Sequence, residues 1–174
     1  MMRRLKIGVL VWLPLILNAQ EDITSFWKPS DTLNTSRRNF VVISEVSLAS
    51  LSLVGLNALW YNDFERSKFR TIDDFNEWQQ LDKIGHVYSA FHLSRLGAES
   101  LEWSGASKKN QLVYGSAIGL GFLTAVEIFD GFSEEWGFSW SDIGANTLGT
   151  AMYVGQELLW DEQRITLKLS LIHI

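Results

Sequence analysis

The chain has 174 residues, 47% of them hydrophobic and 20% charged, with only two prolines, which suits one packed domain and argues against disorder. The formal net charge of -5 gives no basis for a nucleic-acid partner. No cysteine occurs, so these residues can form no disulfide, thiolate metal site, cysteine nucleophile or lipidated cysteine.

The N-terminus reads MMRRLK, then the apolar run IGVLVWLPLIL, then NAQED. A basic start, a short apolar run and a small residue at Ala19 predict an export signal over residues 1–20. The run is short for a bilayer span and contains Pro14. Residues 21–38 are polar, contain Pro29 and predict a surface linker. Asn39 to Tyr61 is long enough to cross a bilayer core; Glu45 is its one charge, and Trp60 with Tyr61 closes it as an interfacial pair. The same stretch also fits the buried helix of a soluble bundle, because Glu45 is costly in lipid.

Asn62 to Asn76 is charged and loop-like. A second helix is expected over Glu77 to Trp103, with too many ionisable residues for a lipid-exposed span, hence amphipathic or shielded by neighbours. After a polar turn at Ser104 to Asn110, Gln111 to Phe129 predicts a strongly apolar third helix. Its Gly115 and Gly119 have the small-xxx-small spacing that lets another helix approach closely. The fourth helix is expected from about Ser141 to Trp160, with Ser139 or Ser141 as its cap. Gly149 leaves a gap on one face, and Ala151 with Gly155 repeats the small-residue spacing. The expected architecture is an all-α bundle of about four apolar or amphipathic helices within residues 39–163, membrane-associated or membrane-spanning. A mean hydropathy of +0.04 is low for a polytopic membrane protein.

At the C-terminus, residues 164–168 are expected to start a further C-terminal region, and the alternation of RITLKL suggests that a strand begins where these residues stop. Residues 169–174, LSLIHI, are what CTG TCT CTT ATA CAC ATC would encode, a string resembling a transposase adaptor read through in frame. They are set aside from fold reasoning, and His173 receives no role.

Three stretches carry polar groups of chemical interest. On the second helix, Asp82 and His86 lie one turn apart, so the carboxylate can orient the imidazole or share a metal with it; Lys83 points about a quarter-turn away. Glu127 and Asp130 close the third helix, where carboxylates oppose the helix dipole and call for a partner such as Lys83 or His86. On the fourth helix, Asp142, Asn146 and Gly149 share one face. Asp142 is explained as a first-turn acid, whereas Asn146 needs a partner if buried. The expected cluster is Asp82, Lys83, His86, Glu127, Asp130, Ser139, Asp142 and Asn146. No cofactor is required, although one histidine among carboxylates and an amide is chemically compatible with a divalent metal. A single good histidine is thin for zinc, and the paired ExxH of di-iron bundles is absent. No GxSxG, phosphate loop or HExxH occurs, and no motif marks Ser89, Ser133 or Ser139 as a nucleophile.

DKIGH (Asp82 to His86) with Tyr88, AVEIFDGFS (Ala125 to Ser133) and FSWSDIGANTLGT (Phe138 to Thr150) together resemble the YfiM-like family of predicted periplasmic lipoproteins of unknown function. More distantly they are similar to VanZ-like membrane proteins, whose pattern runs DKxxH, ExxQ, then serine-x-x-Asp-x-x-x-Asn-x-x-Gly. Two departures stand out: Asp130 replaces the glutamine, and the arginine before the serine is missing. The resemblance implies a helical, envelope-located protein with a polar cluster, and brings no established reaction.

The leading expectation is an exported envelope protein with a structural or interaction role, its partners being membrane lipid and an envelope protein. One alternative is a hydrolase or transferase acting on an envelope lipid or cell-wall precursor, with Asp82, His86, Glu127 and Asp142 as candidate catalytic groups. The other is a soluble periplasmic bundle that binds a partner.

Overall fold

The computed structural model describes residues 26–170. Four long helices occur among them: α1 (Thr35–Leu59), α2 (Leu81–Trp103), α3 (Ser116–Gly131) and α4 (Trp140–Trp160). The export signal expected over residues 1–20 lies outside the described residues.

Helix α2 is the element against which the others pack. Its buried positions Lys83, Ala90, Ser94, Gly97 and Leu101 recur at helical spacing, so one face is enclosed along its whole length. Small residues on that face bring the neighbours in closely. A Cβ on Gly97 would lie 2.3 Å from the Gly115 carbonyl oxygen, and one on Gly149 would lie 2.2 Å from that of Val87. A Cβ on Gly119 would lie 2.7 Å from the Leu93 Cβ. The paired positions run in opposite senses for α2 with α3 and in the same sense for α2 with α4. The seam is therefore made of backbone contact more than of bulky side chains, a packing mode that also serves helices in lipid. The larger core residues Phe91, Leu112 and Tyr153 cluster with Ala98, and Val41, Leu101 and Ala106 form a second group.

Helix α1 behaves differently. Asn34 caps it by accepting a hydrogen bond from the Arg37 N–H at 3.0 Å, and its start is tied to the end of α2 through Asn34 N–H to Ser104 O at 2.8 Å. At its far end, Tyr61 Oη donates to Asp130 Oδ1 at 2.6 Å. Between these ties, Val41 is the one buried side chain of α1. Phe40, Ile43, Leu48, Leu51 and Val54 are all exposed. Glu45 faces the bundle and lines a gap of about 520 Å³ with Leu101, Tyr114 and Phe122. The expectation of a helix buried within a soluble bundle is thus not met within this chain.

Element boundaries differ from the expectation where local chemistry intervenes. The second helix begins at Leu81, not Glu77, because Gln79 and Gln80 take left-handed conformations (φ 52° and 61°) that no α-helix continues through. The third is preceded by a helical turn (Lys108–Asn110) and a wider π-turn (Gln111–Gly115). The fourth starts one residue earlier than expected, capped by Ser139, whose Oγ accepts from the Asp142 N–H at 3.2 Å.

The loop between α1 and α2 is built in, not merely solvated. Its strand β1 (Thr71–Ile72) pairs in parallel with β2 (Phe138–Ser139), next to the α3–α4 turn. Arg70 donates to the carbonyls of Ser133, Glu134 and Trp136, lacing the loop to that turn. Residues 164–168 have no strand partner among the described residues. The Gln156 side chain takes that part instead, accepting from the Ile165 N–H at 2.6 Å and donating to the Ile165 carbonyl at 3.0 Å.

Candidate functional site

The starts of α2 and α4 and the end of α3 meet at one end of the bundle, together with the residues just after β1. Each element supplies polar side chains to a single cluster. Lys83 is its centre, with Nζ 2.6 Å from Asp74 Oδ2, 2.8 Å from Asp142 Oδ1 and 3.0 Å from Asp82 Oδ2. Lys83 is in the cluster as expected: its helical direction lies about a quarter-turn away, and its four-carbon stem reaches all three carboxylates. Asp74, which the sequence presented as one charge in a charged loop, also accepts from Ser139 Oγ at 2.6 Å and Ser141 Oγ at 2.8 Å. The left-handed pair Gln79–Gln80 turns the chain sharply between Asp74 and Lys83, which lets them meet.

His86 forms the second half of the cluster. Its Nδ1 lies 3.0 Å from Asn146 Oδ1, and its Nε2 faces Glu127 Oε1 at 3.4 Å, Asp82 Oδ1 at 3.6 Å and Asp142 Oδ1 at 3.9 Å. Glu127 Oε2 also accepts from the Ser139 N–H at 3.3 Å. Asn146 and Glu127 are fully enclosed, at 0% and 1% exposure, whereas the Asp82 side chain is 49% exposed. The cluster is therefore sealed on the α3–α4 side and meets solvent at Asp82.

Of the expected residues, Asp82, Lys83, His86, Glu127, Ser139, Asp142 and Asn146 come together. Asp130 does not join them, since it accepts from the Tyr61 hydroxyl and so ties α1 to α3. Neither Lys83 nor His86 is its direct partner. Asp74 and Ser141 are the members that sequence reasoning missed; the signal was a pair of aspartates, Asp73 and Asp74, close before a helix carrying an unpaired lysine. Among the packing positions, Gly115, Gly119 and Gly149 touch neighbours. Ala151 and Gly155 do not serve as packing positions: Ala151 is exposed and a Cβ on Gly155 would meet nothing within 4 Å.

Electrostatics follow from this enclosure. Burial pushes the Asp74 carboxyl up, but the Lys83 ammonium and the two serine hydroxyls outweigh it and hold the group at about 2. The stability Asp74 contributes is thus present above the ordinary carboxylate range and lost as pH falls toward that value. Burial pulls Lys83 down, while Asp142, Asp74 and Asp82 override it and hold the ammonium charged well above its ordinary range. Ser139→Ala removes the α4 cap and one donor to Asp74 together. We expect a loss of about 1–2 kcal/mol in denaturant unfolding followed by circular dichroism, with Ser139→Thr recovering most of it.

Residues 75–156 match a protein-family model described as predicted periplasmic lipoprotein (DUF2279). The matched region spans the start of α2 through most of α4, and so holds every cluster residue except Asp74. Its description agrees with the exported, envelope-associated localisation expected from the N-terminal sequence. No curated protein and no solved structure matches the chain.

Proposed function

We propose that the chain is a non-catalytic envelope protein whose helical domain is seated in a membrane through α1, with the polar cluster fixing the register of α2, α3 and α4. One observation carries this reading. The 25 residues of α1 extend about 37 Å at 1.5 Å per residue, more than a bilayer core of about 30 Å, yet only Val41 is buried by the rest of the chain. Thr35–Asp63 and Lys108–Gly131 are both long and apolar enough to cross a bilayer, 6% and 33% buried respectively. Glu45, the charge that argued against lipid, points into the bundle, as intramembrane carboxylates do. The cluster supports a structural role because its ions and hydroxyls are spent on one another: Ser139 and Ser141 both serve Asp74, which leaves neither poised as a nucleophile. The likeness to VanZ-like membrane proteins belongs to the same reading.

The test is membrane extraction of the chain freed of residues 1–20, with the new N-terminus checked by intact mass. The protein is expected to stay with membranes through an alkaline carbonate wash. Replacing outward residues by Ile43→Lys and Leu51→Lys is expected to release it. Recovery of the unaltered chain as a monodisperse soluble protein without detergent would overturn the reading.

A second reading, an enzyme acting on an envelope lipid, is favoured by an apolar groove of about 600 Å³ between α2 and α4. Ile84, Val87 and Leu148 line it, and Lys83 and Ser141 reach its wall. Lipid turnover abolished by His86→Gln would favour this reading over the first.

A further inference from the structure

The two apolar stretches, Thr35–Asp63 and Lys108–Gly131, finish at the same end of the bundle, where Tyr61 bonds to Asp130. A cleft of about 140 Å³ lies between those ends. Tyr61 and Phe129, packed edge to face at 5.7 Å, form part of its apolar wall. Ile128 and Phe132 complete that wall and are exposed on the outside of the bundle. Beside Tyr61, Trp60 stacks on Trp136 at 6.3 Å, the kind of aromatic pair found where a span meets water.

The polar wall carries donors with little to receive them. Arg66 Nη2 donates to Asn57 Oδ1 at 2.6 Å, and no carboxylate lies in ion-pair range of Arg66 among the described residues. That bond uses the Asn57 carbonyl, and the amide N–H groups of Asn57 have no acceptor among the described residues. An antiparallel bridge sets Ser133 opposite Arg66, so the two side chains leave the backbone on one face. Ser133 is 4% exposed, and its hydroxyl has no hydrogen-bond partner, although enclosed hydroxyls are ordinarily paired. A guanidinium, an amide and a hydroxyl around one cleft match an oxyanion with several acceptor oxygens. Glu65 also borders the cleft and disfavours a second negative charge there.

We propose that this cleft holds the phosphate of one membrane phospholipid, bound by Arg66, Asn57 and Ser133, with an acyl chain lying outward along Ile128 and Phe132. An ethanolamine headgroup fits best, because its ammonium balances the phosphate beside Glu65. Assigning the phosphate to a lipid rests on the membrane seating described above; the phosphate chemistry itself does not.

The experiment adds phosphatidylethanolamine to the full chain in neutral detergent and counts bound lipid by native mass spectrometry. Diacylglycerol with the same chains, which lacks the headgroup, is the comparison. One phosphatidylethanolamine is expected to stay bound where diacylglycerol does not. Arg66→Gln, at an exposed position, is expected to weaken binding about tenfold, the effect of one hydrogen bond to a charged group. Ser133→Ala is expected to weaken it by roughly three- to tenfold. It should not lower the unfolding temperature of the lipid-free chain, because that hydroxyl bonds to nothing in the fold. Equal retention of diacylglycerol would overturn the proposal, as would undiminished binding by the Arg66→Gln, Ser133→Ala double variant. Free sn-glycerol 3-phosphate binding as tightly as the lipid would overturn the membrane source. Carbonate extraction is read without added lipid, so the two readings fall separately.

Discussion

Lys83→Met is expected to destabilise the bundle by about 3–5 kcal/mol, the cost of removing one partner from a buried ion pair. The side chain is 10% exposed and faces Asp74 and Asp142, at 11% and 5%. Without the ammonium, both carboxylates remain enclosed and must either stay charged without compensation or take up protons. The loss should therefore shrink as pH is lowered, since protonated carboxyls no longer repel one another. Asp82→Asn is the internal comparison. At 49% exposure, Asp82 forms a pair worth less than about 1 kcal/mol, so this variant should unfold near the parent. Helix content followed through denaturant unfolding in detergent measures both. Near-equal midpoints for Lys83→Met and the parent would show that the cluster does not hold the helices together.

Gly97→Ala and Gly155→Ala are expected to act in opposite directions, although each adds one methyl to the middle of a helix. At Gly97 the new carbon would lie 2.3 Å from the Gly115 carbonyl oxygen and 2.9 Å from its carbonyl carbon. Both belong to backbone, so α2 and α3 must move apart, at a cost of about 1–3 kcal/mol or more before helix propensity returns a fraction. At Gly155 nothing lies within 4 Å, and the substitution should stabilise α4 by roughly 0.5–1 kcal/mol. Thermal unfolding of the two variants side by side checks the sign of each.

That pair also marks how far the sequence could be read. Gly115–Gly119 and Ala151–Gly155 have the same spacing, and only the former faces a neighbour. Spacing reports that two small residues share a helix face; it is silent on whether anything stands opposite. Asp142 and Asn146 were legible because four residues on a helix fix a shared face, and Asn146 was singled out because a buried amide needs a partner, which His86 provides. Lys83 belongs to the expected cluster although its helical angle diverges by about a quarter-turn, and its stem is long enough to cancel that difference. Asp74 had no period to reveal it. Its position depends on two left-handed glutamines and a pair of two-residue strands, and neither feature has a signature in residue type. The four-helix architecture was legible from apolar length and periodicity.

The short parallel pair between β1 and β2 bears on the order in which the molecule assembles. It joins Thr71 to Phe138 and Ile72 to Ser139, so the chain between its two halves contains all of α2 and α3. Closing so long a loop costs entropy that a pair of two-residue strands cannot repay by itself. The pairing becomes favourable only when α2 and α3 have already docked and brought their ends together. Asp74, immediately beyond β1, spans the same long loop when it accepts from Ser139 and Ser141, so those two bonds are expected to form with the strand pair, whereas its contact with Lys83 is local in sequence.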